Sequence, residues 1–260
     1  MDSIFNSDTD SDKKGERGKK VMEKQLTVML AICAAAIGLG VLLGNGAVFF
    51  FNRMPGKWLC DYGQEPTEEL LHPTCQRVKS TPWKYVFTGF FIAVGITMGL
   101  QNPLYALPAL IAIWLLLEMS VADIKYMIVP DQLIMLLVVT GLGFIPHHAL
   151  GVMDCLVGAV IGFGVLAVIA LIGKLVYKKP AVGGADVKLF AALGLALGTD
   201  GIVAVFVIST FLSAGHFIWL MIRKGAKLSG ERPMVPYIAA AATIYLVILH
   251  EMSYNIVIQL

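Results

Sequence analysis

Residues 104–131 read LYALPALIAIWLLLEMSVADIKYMIVPD: nineteen residues holding one acid, Glu118, and then Asp123, Lys125 and Asp131 in quick succession. An apolar run of that length matches a bilayer core, which takes about 20 residues per helix. A carboxylate follows where such a helix would leave the lipid. The pattern recurs outward along the chain, with eight apolar stretches at about 26–51, 85–100, 104–122, 132–146, 151–176, 187–197, 201–222 and 234–256. The 260 residues are 57% hydrophobic and 15% charged, with a mean hydropathy of +0.76. An ordinary soluble domain is roughly 45–50% apolar and about 25% charged, so soluble, disordered, collagen-like and coiled-coil classes are excluded. None of the stretches alternates as a strand would, which favours helices over a barrel. The expectation is an all-α polytopic membrane protein, a bundle of about eight transmembrane helices with one larger cytoplasmic loop. Gly158, Gly162, Gly164, Gly194 and Gly198 supply the small residues that close helix packing in lipid requires.

The chain divides accordingly into a polar, mobile tail at 1–25, a first transmembrane helix at 26–51, a cytoplasmic loop at 52–84 and a membrane domain at 85–260. Threading the loops alternately across the bilayer sorts the basic residues. Arg53, Lys57, Arg77, Lys79, Lys84, Lys125, Lys174, Lys178, Lys179, Lys188, Arg223, Lys224, Lys227 and Arg232 all fall on one side, which the positive-inside rule makes cytoplasmic. The six basic residues of the tail dissent, but four internal connections outweigh one terminal segment. The formal net charge of +2 carries no argument for a nucleic-acid partner.

An acid near an apolar core costs several kcal/mol unless it is paired or hydrated, so such acids are functional candidates by default. Asp123 ends the third apolar stretch and Asp186 opens the sixth, both at the cytoplasmic side. Asp131 opens the fourth, where a helix start favours an acid and a capping role is expected. Glu118 lies off the face of Asp123 and is expected to hydrogen-bond a neighbouring helix, as is His216. Gly183 and Gly184 precede Asp186, through Ala185, either as a plain flexible loop or as small residues that let a peptide backbone approach the acid.

Asp123-Ile124-Lys125-Tyr126-Met127-Ile128-Val129-Pro130-Asp131 resembles the first aspartate motif of the type IV prepilin peptidases, membrane aspartic proteases of the GxGD class. The segment Gly183-Gly184-Ala185-Asp186-Val187-Lys188 resembles their second. The resemblance implies that Asp123 and Asp186 are the catalytic pair, with Gly183, Gly184, Ala185 and Lys188 in the active-site loop. It makes Lys125, Pro130 and Asp131 accessory motif residues, and 85–260 a transmembrane aspartic peptidase domain. It implies substrates as well: type IV prepilins or pseudopilins with a basic leader, Gly before the cut, usually Phe after it, and then an apolar helix. The location implied is the bacterial cytoplasmic membrane, with the active site on the cytoplasmic side. Ala185 departs from the pattern at the second glycine of GxGD, which bears on the shape of the loop more than on its chemistry.

Two neighbouring carboxylates hold one proton between them. The charged one can deprotonate an attacking water while the protonated one donates to the carbonyl oxygen. Proteolysis therefore needs no cofactor and no metal. Family members commonly carry two CxxC zinc pairs in the first loop and methylate the new N-terminus with S-adenosylmethionine. Here Gly44 and Arg53-Met54-Pro55 are similar to the ends of their glycine-led segment, but Val48 stands where its asparagine is usual. Cys60, His72 and Cys75 could supply three ligands with a fourth from outside, but Cys-x11-His-x2-Cys is not a strong zinc spacing, and reduced, unligated thiols are expected. Asp61, Glu65, Glu68 and Glu69 form an acidic run, either a solvated surface or an attractor for a basic leader. His147-His148 reads as an interfacial turn, and Cys33 and Cys155 read as packing residues.

The competing reading is a small ion- or proton-coupled transporter using Asp123, Asp186, Glu118 and His216. Such a path runs near the bilayer midplane and often joins repeated halves. The two principal acids lie at one face and no repeat is visible, and the ending Val129-Pro130-Asp131 favours the prepilin branch over the presenilin-like one.

Overall fold

A computed structural model describes residues 5–60, 63–71, 76–178, 183–224 and 232–250. Among them are no strands. The helices are α1 (Phe5–Arg53), α2 (Glu68–Leu71), α3 (Ser80–Gln101), α4 (Pro103–Tyr126), α5 (Asp131–Gly141), α6 (Val152–Tyr177), α7 (Gly184–Lys224) and α8 (Val235–Ile244). Short 3-10 turns cover Gly56–Leu59 and Leu142–His147, and a π-type turn, Tyr245–Leu249, prolongs α8. Five helices (α1, α3, α4, α6 and α7) are long and apolar enough to cross a membrane, and two shorter apolar ones accompany them at Asp131–His147 and Val235–Leu249. α6 turns Leu156, Val160, Phe163, Leu171 and Leu175 outward, an apolar surface that suits lipid and not water. The chain is a multi-pass, all-helical membrane protein.

The stretches expected at 187–197 and 201–222 are the two arms of α7, which follow one another in one run without an intervening loop. That run is not straight. Gly198 has φ 70° and ψ −171°, and the rings of Phe190 and Phe206 lie 6.2 Å apart. Along an uninterrupted helix their positions would be separated by about 24 Å, so the chain folds back at Gly198. Only glycine serves at that corner: φ is positive, and a Cβ there would lie 2.3 Å from the Asp154 carboxylate. Asp154 accepts the Thr199 N–H at 3.1 Å just beyond the bend, and His148 joins the Asp154 carboxylate at 3.1 Å.

Two glycine seams hold the bundle. Gly158 and Gly162 of α6 let α7 approach backbone to backbone, since Cβ atoms built on them would fall 2.4 Å from the Gly194 carbonyl and 2.3 Å from the Phe190 carbonyl. Gly40 and Gly44 do the same for α1 against α3, where Cβ atoms would meet Ile92 at 2.6 Å and Thr88 at 2.4 Å. In lipid there is no water to expel, so close van der Waals contact between small residues replaces the hydrophobic effect as the packing force. Between the seams α4 is buried along most of its length, with Ala109, Leu116, Met119 and Ala122 at 0% exposure.

The polar residues before 26 were expected to stand apart as a tail; from Phe5 they continue α1. Lys20 pairs with Glu16 one turn away at 3.3 Å, a spacing that supports a helix locally. The loop at 52–84 is tied down in its described parts. Asn52 mimics a strand partner for Val78, donating to its carbonyl at 3.0 Å and accepting its N–H at 2.8 Å. The Arg77 guanidinium is buried and donates to the carbonyls of Phe51 at 3.3 Å, Met54 at 2.5 Å and Leu70 at 3.2 Å. A cation on carbonyls at the end of α1 also complements the negative end of that helix.

Gly194→Leu should lower unfolding stability in detergent by about 1–3 kcal/mol or more, the range for overpacking, whereas Gly164→Leu, with open space at its Cβ, should leave the melting temperature unchanged. Arg77→Met strands three carbonyls and should cost about 1–3 kcal/mol. Arg77→Lys should recover only part of this, read from the same thermal melts and from protease sensitivity of the loop.

Candidate active site

α4 ends at Tyr126 because Met127 takes a left-handed conformation, φ 56°, with its N–H returning to the Asp123 carbonyl at 2.9 Å. Asp123 therefore sits on the last turn of α4, and its side chain is turned inward, 6% exposed. Its Oδ2 accepts the Val235 N–H at 2.9 Å. This is the first N–H of α8, which at a helix start has no partner within the helix and favours an anion.

Asp186 sits in the first turn of α7. Its N–H bonds the Gly183 carbonyl at 3.1 Å, closing the first turn of the helix. The carboxylate is half-buried and close enough to Asp123 to feel its charge. Asp123 thus ends α4 against the start of α8, Asp186 opens α7, and the Lys188–Asp131 ion pair ties the two segments together at 2.8 Å. Gly183 and Gly184 are exposed, and among the described residues a Cβ on Gly184 would touch nothing. Ala185 lies inside the first turn of α7 and is not among the residues with positive φ. The position asks nothing of glycine's freedom, which accounts for alanine at the second glycine of the motif.

Pro130 precedes α5 and fixes its entry, with φ −64°. Asp131 is in the first turn, where the helix dipole favours it, but its side chain makes no cap bond. The capping role is replaced by an ion pair: the Lys188 ammonium reaches Asp131 Oδ2 at 2.8 Å and Oδ1 at 3.0 Å. Lys125 donates to the Arg77 carbonyl, linking the end of α4 to the first loop. The expected hydrogen bond of Glu118 is absent among the described residues: it is 1% exposed and neither oxygen has a partner. His216 does reach the Tyr237 hydroxyl across helices. His148 sits at the opposite end, its Nε2 3.0 Å from the Ala196 carbonyl, as part of the tie at the α7 bend.

In the first loop Glu65 is exposed, while Asp61, His72 and Cys75 and the side chains of Glu68 and Glu69 lie outside the described residues. Cys60 donates to the Gly56 carbonyl at 3.2 Å. Among the described residues no group of three or more His, Cys, Asp or Glu is placed to hold a metal ion. In the described part of the glycine-led segment, packing within the protein takes up its small and basic positions. Gly44 is filled by Thr88, the Arg53 guanidinium lies over the Phe49 ring at 4.4 Å, and Met54 is buried. Reasoning from sequence missed Arg77, counted only as a topological cation, and the start of α8. Pro236, just inside an apolar run, was the available sign of that start.

Residues 109–218 match the model of the type IV leader peptidase family. Proteins named prepilin leader peptidase/N-methyltransferase are similar as well. The one from Aeromonas hydrophila is 33% identical over 161 residues, 60% of this chain and 54% of that protein, and the one from Bacillus subtilis is 32% identical over 160 residues, 58% of this chain and 59% of that protein. The chain thus spans little more than half the length of these relatives. With the protein from Pseudomonas aeruginosa it is 31% identical over 264 residues, 84% of this chain and 90% of that protein. No solved structure matches. With identity at that level running nearly the whole length of a relative, and the family model spanning α4 to α7 and both aspartates, this chain belongs to the type IV leader peptidase family.

Proposed function

We propose that the chain is a membrane aspartic endopeptidase that removes the leader from type IV prepilins or pseudopilins, with Asp123 and Asp186 as the catalytic pair. The observation that supports this reading is the placement of Asp123 on the last turn of α4, bonded to the start of α8, and of Asp186 in the first turn of α7, in segments joined by the Lys188–Asp131 ion pair. Counting the α7 hairpin as two spans, the chain crosses the bilayer eight times, and the basic loops orient the pair to the cytoplasmic face of a bacterial inner membrane. A substrate whose leader is basic and whose following helix is apolar presents its scissile bond at that boundary. Its extended backbone approaches over Gly183 and Gly184.

One carboxylate of the pair is charged and the other protonated. The charged one takes a proton from water as the water oxygen attacks the scissile carbonyl. The protonated one donates to the developing oxyanion, and collapse of that intermediate breaks the C–N bond with a proton passed to the leaving amine. The main-chain N–H of Val235 orients Asp123. A transporter would set its acids near the midplane, and the paired acids here stand at helix ends.

The relatives' names include N-methylation, for which S-adenosylmethionine is the methyl donor that reading calls for. No step above passes through it. Mass spectrometry of a prepilin incubated with the purified chain, with and without S-adenosylmethionine, reads the cut position and any added methyl together.

Asp123→Asn and Asp186→Asn should each reduce cleavage by at least ~100-fold, the lower range for losing a positioned acid or base, with insertion and melting behaviour retained. Near-normal processing by either variant overturns the reading. If the acidic run Asp61, Glu65, Glu68 and Glu69 attracts the leader, neutralising all four should raise KM at low salt, and the difference should fade as salt rises; an unchanged KM at low salt would assign the run to a solvated surface.

A further inference from the structure

Each of the two aspartates is followed two residues later by a lysine, Asp123-x-Lys125 and Asp186-x-Lys188. On a helix, residues two apart point about 200° from one another, so neither lysine pairs with the acid before it. Each lysine instead grips a neighbouring element. Lys125 holds the Arg77 carbonyl and Lys188 holds both oxygens of Asp131.

The second grip is the more consequential, because of how α5 and α7 lie together. At their far ends Gly141 packs under Leu195 and Ala196, with a Cβ there 2.8 Å from Leu195. At their near ends Asp131 meets Lys188. The first arm of α7 therefore runs parallel to α5 and is fixed at two points. Asp131 is joined to the end of α4, and so to Asp123, through the short turn Met127-Ile128-Val129-Pro130. Lys188 is one helical step past Val187 from Asp186. The ion pair is thus a direct side-chain link between the two segments that carry the aspartates.

We infer that Lys188 and Asp131 form a clasp that positions Asp186 against Asp123, acting on the alignment of the pair and not on substrate or reacting atoms. This rests on the reading of Asp123 and Asp186 as the reacting pair. Both partners of the clasp are substantially solvent-exposed, 58% and 43%, and exposed ion pairs add little to global stability. Losing the clasp leaves the Gly141 contact in place and frees only the near ends of the two helices.

The test uses the full chain in detergent with two readouts. In the first, prepilin cleavage is followed in Lys188→Met, in Asp131→Asn, in the two combined, and in the exchanged pair Lys188→Asp with Asp131→Lys. Each single change should lower kcat about five-fold, the population shift equivalent to ~1 kcal/mol for such a pair, with KM and melting temperature unchanged. The combined neutral variant should fall no further, and the exchanged pair should return to within about two-fold of the starting chain. High salt should lower kcat of the starting chain and leave the single variants unmoved, a response that a purely structural side chain would not produce. In the second readout, Asp123→Cys and Asp186→Cys are introduced together in a chain whose own cysteines are serine. Thiol crosslinking between them should slow about five-fold when Lys188→Met is added, whether or not the parent chain cleaves prepilin. A chain that shows this crosslinking response without cleaving prepilin retains the clasp and loses the peptidase reading. Cleavage and crosslinking indifferent to the single changes, or losses that add in the combined variant and persist in the exchanged one, overturn the clasp.

Discussion

The Val235 N–H bonded to the Asp123 carboxylate joins the start of one helix to the end of another, and the arrangement of the site depends on it. A carboxylate turned inward at the edge of a bilayer is costly unless polar groups meet it. The first N–H groups of a helix are available for this because no carbonyl within the helix can take them. The bond therefore satisfies both needs at once: it gives α8 an acceptor and Asp123 a donor. α4 must end where it does, at the left-handed Met127, for Asp123 to lie level with that helix start. α7 must begin at Gly184 for Asp186 to arrive beside it.

The other end of the molecule serves the same geometry at a distance. The corner at Gly198 returns α7 along α6, and the Asp154 carboxylate and His148 ring close over that corner. The glycine seam between α6 and α7 keeps the first arm of α7 from sliding. In a soluble protein an apolar core would resist such movement; in lipid, contact between small residues and a few hydrogen bonds must do it. The two aspartates stand at helix ends, while the glycine seams hold the scaffold that carries them.

Much of this was legible in the residues. Periodicity was not needed: the apolar blocks located the helices, and the low charged fraction made each acid's position informative. Asp123 and Asp186 stood out because acids are expensive there. The partners of Asp131 and Lys188 were not, since the two residues are far apart in sequence and no local rule pairs them. Arg77 was equally opaque. Its three acceptors are main-chain carbonyls, which every residue has, so no side-chain pattern announces them.

The sequence by itself determined that the chain is helical and crosses a membrane, since long apolar blocks leave the backbone no other way to satisfy its hydrogen bonds in lipid. It also singled out Asp123 and Asp186 as the acids proposed to react. Tertiary structure decided that stretches 187–197 and 201–222 form one hairpin, that α8 supplies a donor to Asp123, and that lysines anchor the helix ends. These depend on contacts between residues remote in the chain, through backbone groups and close glycine approaches, and such contacts exist only once the helices have packed.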